Sequence, residues 1–141
     1  MTERYLRLLD HFLTPVLMIL AIFLLLRGHN QPGGGFIAGL VVAAVLQLQI
    51  MSRGDEPVRN SLGRYLHPMM GVGLLMAAVS ACFGILYGTF FKGIWWHVPL
   101  GSLGFDLGTP VTFDIGVFLV VVSVVTSYLL GLSPRESDTR K

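Results

Sequence analysis

Long apolar stretches separated by short polar clusters make up this chain. Residues 28–52 contain no Asp, Glu, Lys or Arg, and the same holds for 65–91 and 115–134. Each gap can hold the roughly 20 residues that a helix needs to cross the hydrocarbon of a bilayer. The first apolar run, Phe12–Leu26, has only 15 residues, so a spanning helix has to begin near Tyr5. That start puts Asp10 and His11 near the membrane interface, with Arg7 one turn away to pair with Asp10. It also puts Pro15 inside the helix, where a bend is expected. A helix starting at Thr14-Pro15 is too short to span. A cleaved signal peptide fits less well, because Asp10 and His11 interrupt its start and no A-x-A-like site follows. The pattern predicts four helices, about 5–27, 32–52, 66–91 and 109–132. They form a single membrane domain over 1–141, with a short polar tail at 133–141. The expected fold class is an all-α integral membrane protein with four transmembrane helices.

The positive charges orient the helices. One set of flanks carries Arg4, Arg7, Arg53, Arg59, Arg64, Arg135, Arg140 and Lys141, and the other only Arg27 and Lys92. Short loops rich in Lys and Arg stay in the cytoplasm. Both termini are therefore expected there, and the connections after the first and third helices face outward. Trp95 and Trp96 in the third connection suit an interfacial aromatic belt.

Composition agrees with a membrane. The chain has 141 residues, 53% hydrophobic and 13% charged, with a mean hydropathy of +0.70. Soluble domains carry about 25% charged residues. The formal net charge of +2 gives no basis for a general nucleic-acid surface. A single cysteine, Cys82, excludes an internal disulfide and a CxxC site. Its apolar setting predicts a small buried hydrophobe.

The connection Arg27-Gly28-His29-Asn30-Gln31-Pro32-Gly33-Gly34-Gly35-Phe36 raises a chemical question. Glycine runs before helices cradle phosphates, but a Walker loop needs Lys and Ser/Thr after its last glycine, and a dinucleotide loop needs a preceding strand. Phe36-Ile37 follow here, and no strand–helix alternation surrounds them. The structural reading is stronger. Pro32 suits the first turn of the second helix, with Asn30 or Gln31 as its cap. Gly35, Gly39 and Ala43 then form a small-xxx-small face of the kind that lets helices approach closely in lipid. The third helix has similar rows, Gly73/Ala77/Ala81 and Ser80/Gly84/Gly88. Gln47 and Gln49 are expected to hydrogen-bond another helix.

Asp114 is the sharpest polar residue. A carboxylate at the edge of an apolar span is a candidate for ion or proton handling. It also lies little more than one turn beyond Pro110, where the positive end of the fourth helix favours it structurally. The histidines 11, 29, 67 and 97 show no HxxxH or HExxH spacing, so neither a metal site nor a cofactor is expected. No nucleophile with a base is evident, and the middle of every helix is uncharged. The residues thus point to a contact subunit rather than to an enzyme or an independent pump.

The block LLLRGHNQPGGGFIAGLVVAAVLQLQ at 24–49 resembles the signature of the MnhB component of the Mrp-type (Mnh) multisubunit sodium/proton antiporters. TPVTFDIGVFLVVV at 109–122 resembles the last helix of the same family. The resemblance spans most of the chain and implies an accessory subunit of a cation/proton antiporter. Its implied partners are large antiporter subunits similar to those of complex I, together with small membrane subunits. The complex exchanges Na⁺ and H⁺ across a prokaryotic plasma membrane, and this multi-pass chain touches membrane lipid. The family's block falls on Gly28, His29, Pro32, Gly33, Gly34, Gly35, Phe36 and Gly39, and on Phe113, Asp114 and Gly116. Two alternatives stay open at this point: the equivalent subunit of a membrane-bound hydrogenase-type complex, and a homo-oligomeric ion transporter using Asp114.

Overall fold

A computed structural model describes residues 2–27, 34–86, 95–98 and 105–133. Along the described chain the elements are α1 (Thr2–Arg27), α2 (Gly35–Arg53), α3 (Glu56–Leu62), α4 (Leu66–Leu86), β1 (Trp95–Val98), β2 (Phe105–Gly108) and α5 (Thr109–Leu132). Four of the helices, α1, α2, α4 and α5, are long and apolar enough to cross a membrane. Two elements come in addition. One is the short α3. The other is an antiparallel hairpin of β1 and β2 in the third connection, with Trp95 opposite Gly108 and His97 opposite Asp106.

Local chemistry explains the element ends. α1 runs through Pro15 as one helix. α2 starts at Gly35, three residues later than a start at Pro32, and the residue before it is Gly34 rather than Asn30 or Gln31. Gly34 has φ +92° and ψ −178°, a backbone region that is essentially restricted to glycine. Gly54, with φ +86°, ends α2 in the same region. α3 begins behind Asp55 with Pro57 in its first turn, where a missing N–H costs no helical bond.

The helices pack around α5. α4 lies on one side of it and α2 on the other, and α1 leans on α2. Small residues permit this. On α2 the buried positions Gly35, Ala38, Gly39, Ala43 and Leu46 recur at helical spacing and form one stripe. A methyl group at Gly39 would stand 2.9 Å from the Val121 side chain. Across the other contact, a methyl at Gly116 would be 2.7 Å from the Gly73 carbonyl and 2.8 Å from the Ala77 nitrogen. Gly73 faces Gly116 in return, at 2.7 Å from its carbonyl. Real Cβ atoms do not approach backbone so closely, so the two helices meet backbone to backbone.

Leu46, Val58, Leu66, Val122 and Leu130 form the buried apolar cluster, flanked by Val42, Ile50, Leu62, Met69 and Phe118. α3 contributes Val58 and Leu62 and so closes one end of the bundle. Most large apolar side chains are nevertheless uncovered, including Phe12, Ile19, Leu74 and Leu75. Only 11% of the α1 span is buried, against 39% for α2. Such a surface suits contact with lipid or neighbouring membrane proteins, not water. Cys82 belongs to it: the expected buried thiol is exposed, because it faces away from α5. The expected polar contacts of Gln47 and Gln49 also fail. Gln47 is exposed, and among the described residues neither amide bonds to another helix.

Arginine ties off the α3 end. Arg59 Nε and Nη2 donate to Asp55 Oδ2 at 3.2 and 2.9 Å. Nη2 also donates to the Leu130 carbonyl at 2.8 Å, one of the last α5 carbonyls, which have no partner within their own helix. The Arg59 hydrogen bond, with the guanidinium charge behind it, outweighs burial and holds the Asp55 carboxyl below its ordinary value.

Two outcomes are expected. Gly116→Ala lowers the melting temperature of the purified protein, since α4 and α5 must separate, whereas Gly131→Ala, where nothing stands within 4 Å, leaves it unchanged or raises it. Because the folded Asp55 has the lower pKa, its pairing contributes fully above the unfolded carboxylate value of about 3.9. That contribution is lost as pH falls through the depressed folded value. Thermal melts from pH 7 to pH 3 should therefore fall less steeply at the acid end for Asp55→Asn than for the parent.

Candidate functional site at the meeting of three helix ends

The C-terminal end of α1, the N-terminal end of α2 and the N-terminal part of α5 converge. The Gly34 N–H donates to the Leu24 carbonyl at 3.2 Å, and the Gly34 carbonyl accepts from the Ala38 N–H at 3.0 Å. The residue that starts α2 is thereby tied to the end of α1. Gly34 also abuts Asp114: a Cβ there would lie 3.4 Å and 3.5 Å from the two carboxylate oxygens. A Cβ on Gly35 would collide with the Asp114 carbonyl oxygen and stand 2.9 Å from the Phe118 nitrogen. Glycine is thus required twice in succession, first for backbone conformation and then for approach.

Asp114 is half-buried in the second turn of α5. Both Asp114 and Arg27, the last residue of α1, are engaged in interactions with their surroundings. The Arg27 guanidinium also stacks over the Phe23 ring at 5.5 Å. A carboxylate near a helix N-terminus, against a glycine backbone, can accept hydrogen bonds or take up a proton. Gly39 is buried against α5, while Phe36 and Phe113 are exposed. Gly116 faces α4 instead. Gly28, His29, Pro32 and Gly33 lie outside the described residues. Among the described residues no group of three or more His, Cys, Asp or Glu is placed to hold a metal ion.

A second polar cluster sits near the opposite end of α1. Asp10 is fully buried. It accepts from Arg53 Nε at 2.7 Å and from Thr14 Oγ1 at 2.8 Å. The expected pairing with Arg7 is corrected: the partner is the last residue of α2, forty-three positions away. Arg7 and Asp10 are neighbours on one helix, but Asp10 faces α2, and Arg53 reaches it across the contact.

The family described as "Domain related to MnhB subunit of Na+/H+ antiporter" matches residues 5–127. The chain belongs to this family. The match takes in both polar clusters and both glycine contacts. Among curated relatives, the Na(+)/H(+) antiporter B subunit of Bacillus subtilis is 30% identical over 123 residues, covering 86% of this chain and 86% of that protein. The corresponding B subunit of Alkalihalophilus pseudofirmus is 29% identical over 131 residues, covering 89% and 88%. A probable K(+)/H(+) antiporter protein of Rhizobium meliloti, which combines the A and B components, is 36% identical over 125 residues. That match spans 84% of this chain but 12% of the relative, so the MnhB-related domain there is a small part of a much longer protein.

The Asp10 cluster gives a direct test of how the MnhB-type bundle is held. Arg53→Ala leaves a buried carboxylate with only the Thr14 hydroxyl, and a lost charged hydrogen bond costs about 2 kcal/mol. Thermal unfolding should show that loss. The pair Asp10→Asn with Arg53→Gln should recover part of it, because no buried charge remains.

Proposed function

We propose that this chain is the MnhB-type component of a multisubunit Na⁺/H⁺ antiporter, a membrane protein that works through contacts with other subunits. The observation that carries the reading is the match over residues 5–127, together with the likeness to antiporter proteins of similar length. The architecture supports it. The apolar exterior of α1 and α4 has far more surface than the chain covers itself, and the described helices hold little ionisable chemistry at mid-span. This is a transporter component rather than an enzyme. The partners are large antiporter subunits and small membrane subunits, and the setting is a prokaryotic plasma membrane.

The arginine-bearing end of the bundle (Arg4, Arg7, Arg53, Arg59 and Arg64) faces the cytoplasm, with both termini on that side. The segment Gly28 to Gly39 and Asp114 then lie toward the outer face. There the glycine-rich connection Gly28, His29, Pro32, Gly33, Gly34 and Gly35, with the exposed Phe36, is a docking point for a neighbouring protein of the complex. Gly34 and Gly35 also seat α2 on α5. Asp114 fixes that geometry and is the one candidate for proton or ion handling among the family residues.

Gentle extraction of the tagged protein from its own membranes is expected to yield a large particle containing several distinct apolar proteins by mass spectrometry. Particles built from the 15.4 kDa chain alone would overturn this reading. Asp114→Asn is expected to leave the particle intact and to reduce antiport only in part, measured with a pH-sensitive dye in everted vesicles. Loss of all transport by an intact particle would move Asp114 onto the ion path.

A further inference from the structure

Beside the Asp10 cluster, an open cleft of about 540 Å³ is lined by Arg7, Leu8, His11 and Arg53. Its charges do not cancel. Asp10 is the acidic group nearest to it, and both carboxylate oxygens are already taken, one by Thr14 and one by Arg53. Arg53 reaches Asp10 through Nε and keeps 53% of its side chain exposed. Arg7 is exposed and forms no ion pair among the described residues. Glu3, one turn earlier on α1, forms none either. His11 is exposed, with its ring edge-on to Phe12 at 5.7 Å between centroids. Two guanidinium groups and an imidazole thus surround a cavity with one fully neutralised acid at its back.

An apolar track leads out of this cleft. Leu8, Phe12, Val16, Ile19 and Phe23 are all more than half exposed, and their spacing puts them on one side of α1. The track runs roughly 22 Å at the helical rise of 1.5 Å per residue, about the length of a fatty-acyl chain. Leu8 belongs to both the cleft and the track. A basic cleft at the end of a spanning helix, opening onto a long apolar stripe, is complementary to one kind of molecule. We propose that Arg7, His11 and Arg53 bind the phosphate of an anionic phospholipid whose acyl chain lies along α1. Basic pockets of this kind recognise anionic headgroups by charge and hydrogen bonding.

The inference rests on the membrane reading given above, and its failure is separable from that one. Companion proteins in the preparation test the role in a complex, and lipid titration of the recovered particle tests the cleft. The particle, stripped of bound lipid in detergent, is titrated with phosphatidylglycerol and followed by melting temperature and by native mass spectrometry of retained lipid. Arg7→Gln should weaken the apparent affinity about fivefold, and Arg7→Gln with His11→Gln should weaken it further, with loss of a retained lipid. Both side chains are exposed, so these variants should fold. Phosphatidylcholine and inorganic phosphate should give no comparable stabilisation, and Arg4→Gln, outside the cleft, should titrate like the parent. Equal titration of the double variant and the parent would overturn the proposal, as would an equal effect of Arg4→Gln, which would signify diffuse surface charge. Stabilisation by inorganic phosphate alone would replace the lipid with a free anion.

Discussion

Everything in this bundle depends on how close α5 can come to its two neighbours. Lipid is as apolar as a leucine side chain, so burial of hydrocarbon does not drive spanning helices together. Close packing must do it, through dispersion between atoms in contact. Gly73 and Gly116 allow α4 and α5 to meet at their backbones, and Gly35 and Gly39 do the same for α2 and α5. A single methyl group at Gly116 or Gly35 would push a whole helix outward. The larger residues of Leu46, Val122 and Leu130 then fill what remains, with Val58 and Leu66.

Polar groups are concentrated where they control ends rather than middles. Arg53 joins α2 to the buried Asp10 of α1, and Arg59 joins α3 to the last carbonyls of α5. These links run between segments far apart in sequence, so they fix relative helix positions that glycine packing alone leaves free to slide. Asp10 is the more demanding of the two. Its carboxylate is wholly removed from solvent, and charge-assisted hydrogen bonds to both oxygens offset that cost. Arg53 remains half-exposed, which keeps its own desolvation small.

The apolar spans were legible because hydropathy over twenty residues is a strong, local signal. The glycine faces were legible as faces, but their partner was not. Gly35, Gly39 and Gly73 are directed at α5 within the same chain, a fact that residue spacing cannot contain. Asp10 shows the same limit. Spacing on one helix proposes Arg7, whereas the fold supplies Arg53 from another. The short α3 and the β1–β2 hairpin were missed because each is brief. EPVRNSL is too short for helical periodicity to register, and WWHV and FDLG pair only across a connection. Cys82 and Gln47 were misplaced for one shared reason: in a membrane, outward-facing positions are as apolar as inward-facing ones, so hydropathy does not separate them.

That loss of contrast bears on what the chain is for. A soluble protein announces its interaction surface by exposing apolar residues, and a membrane protein cannot do so. The informative features are the departures from uniform hydrocarbon, and here there are few. At one end Gly34 and Gly35 press against Asp114, joined to α1 through Leu24. At the other, Arg53 bridges to Asp10 beside an open basic cleft. Between them α1 is nearly smooth and mostly uncovered. A chain that fastens both ends so firmly while leaving its longest helix exposed is built as a rigid insert, whose exposed face is completed by lipid and by other proteins of its complex. The two polar ends then have distinct physical tasks. The Gly34–Asp114 end holds three helix ends together around a carboxylate that can exchange a proton, and the Asp10–Arg53 end fixes α1 against α2 at the depth where headgroups begin.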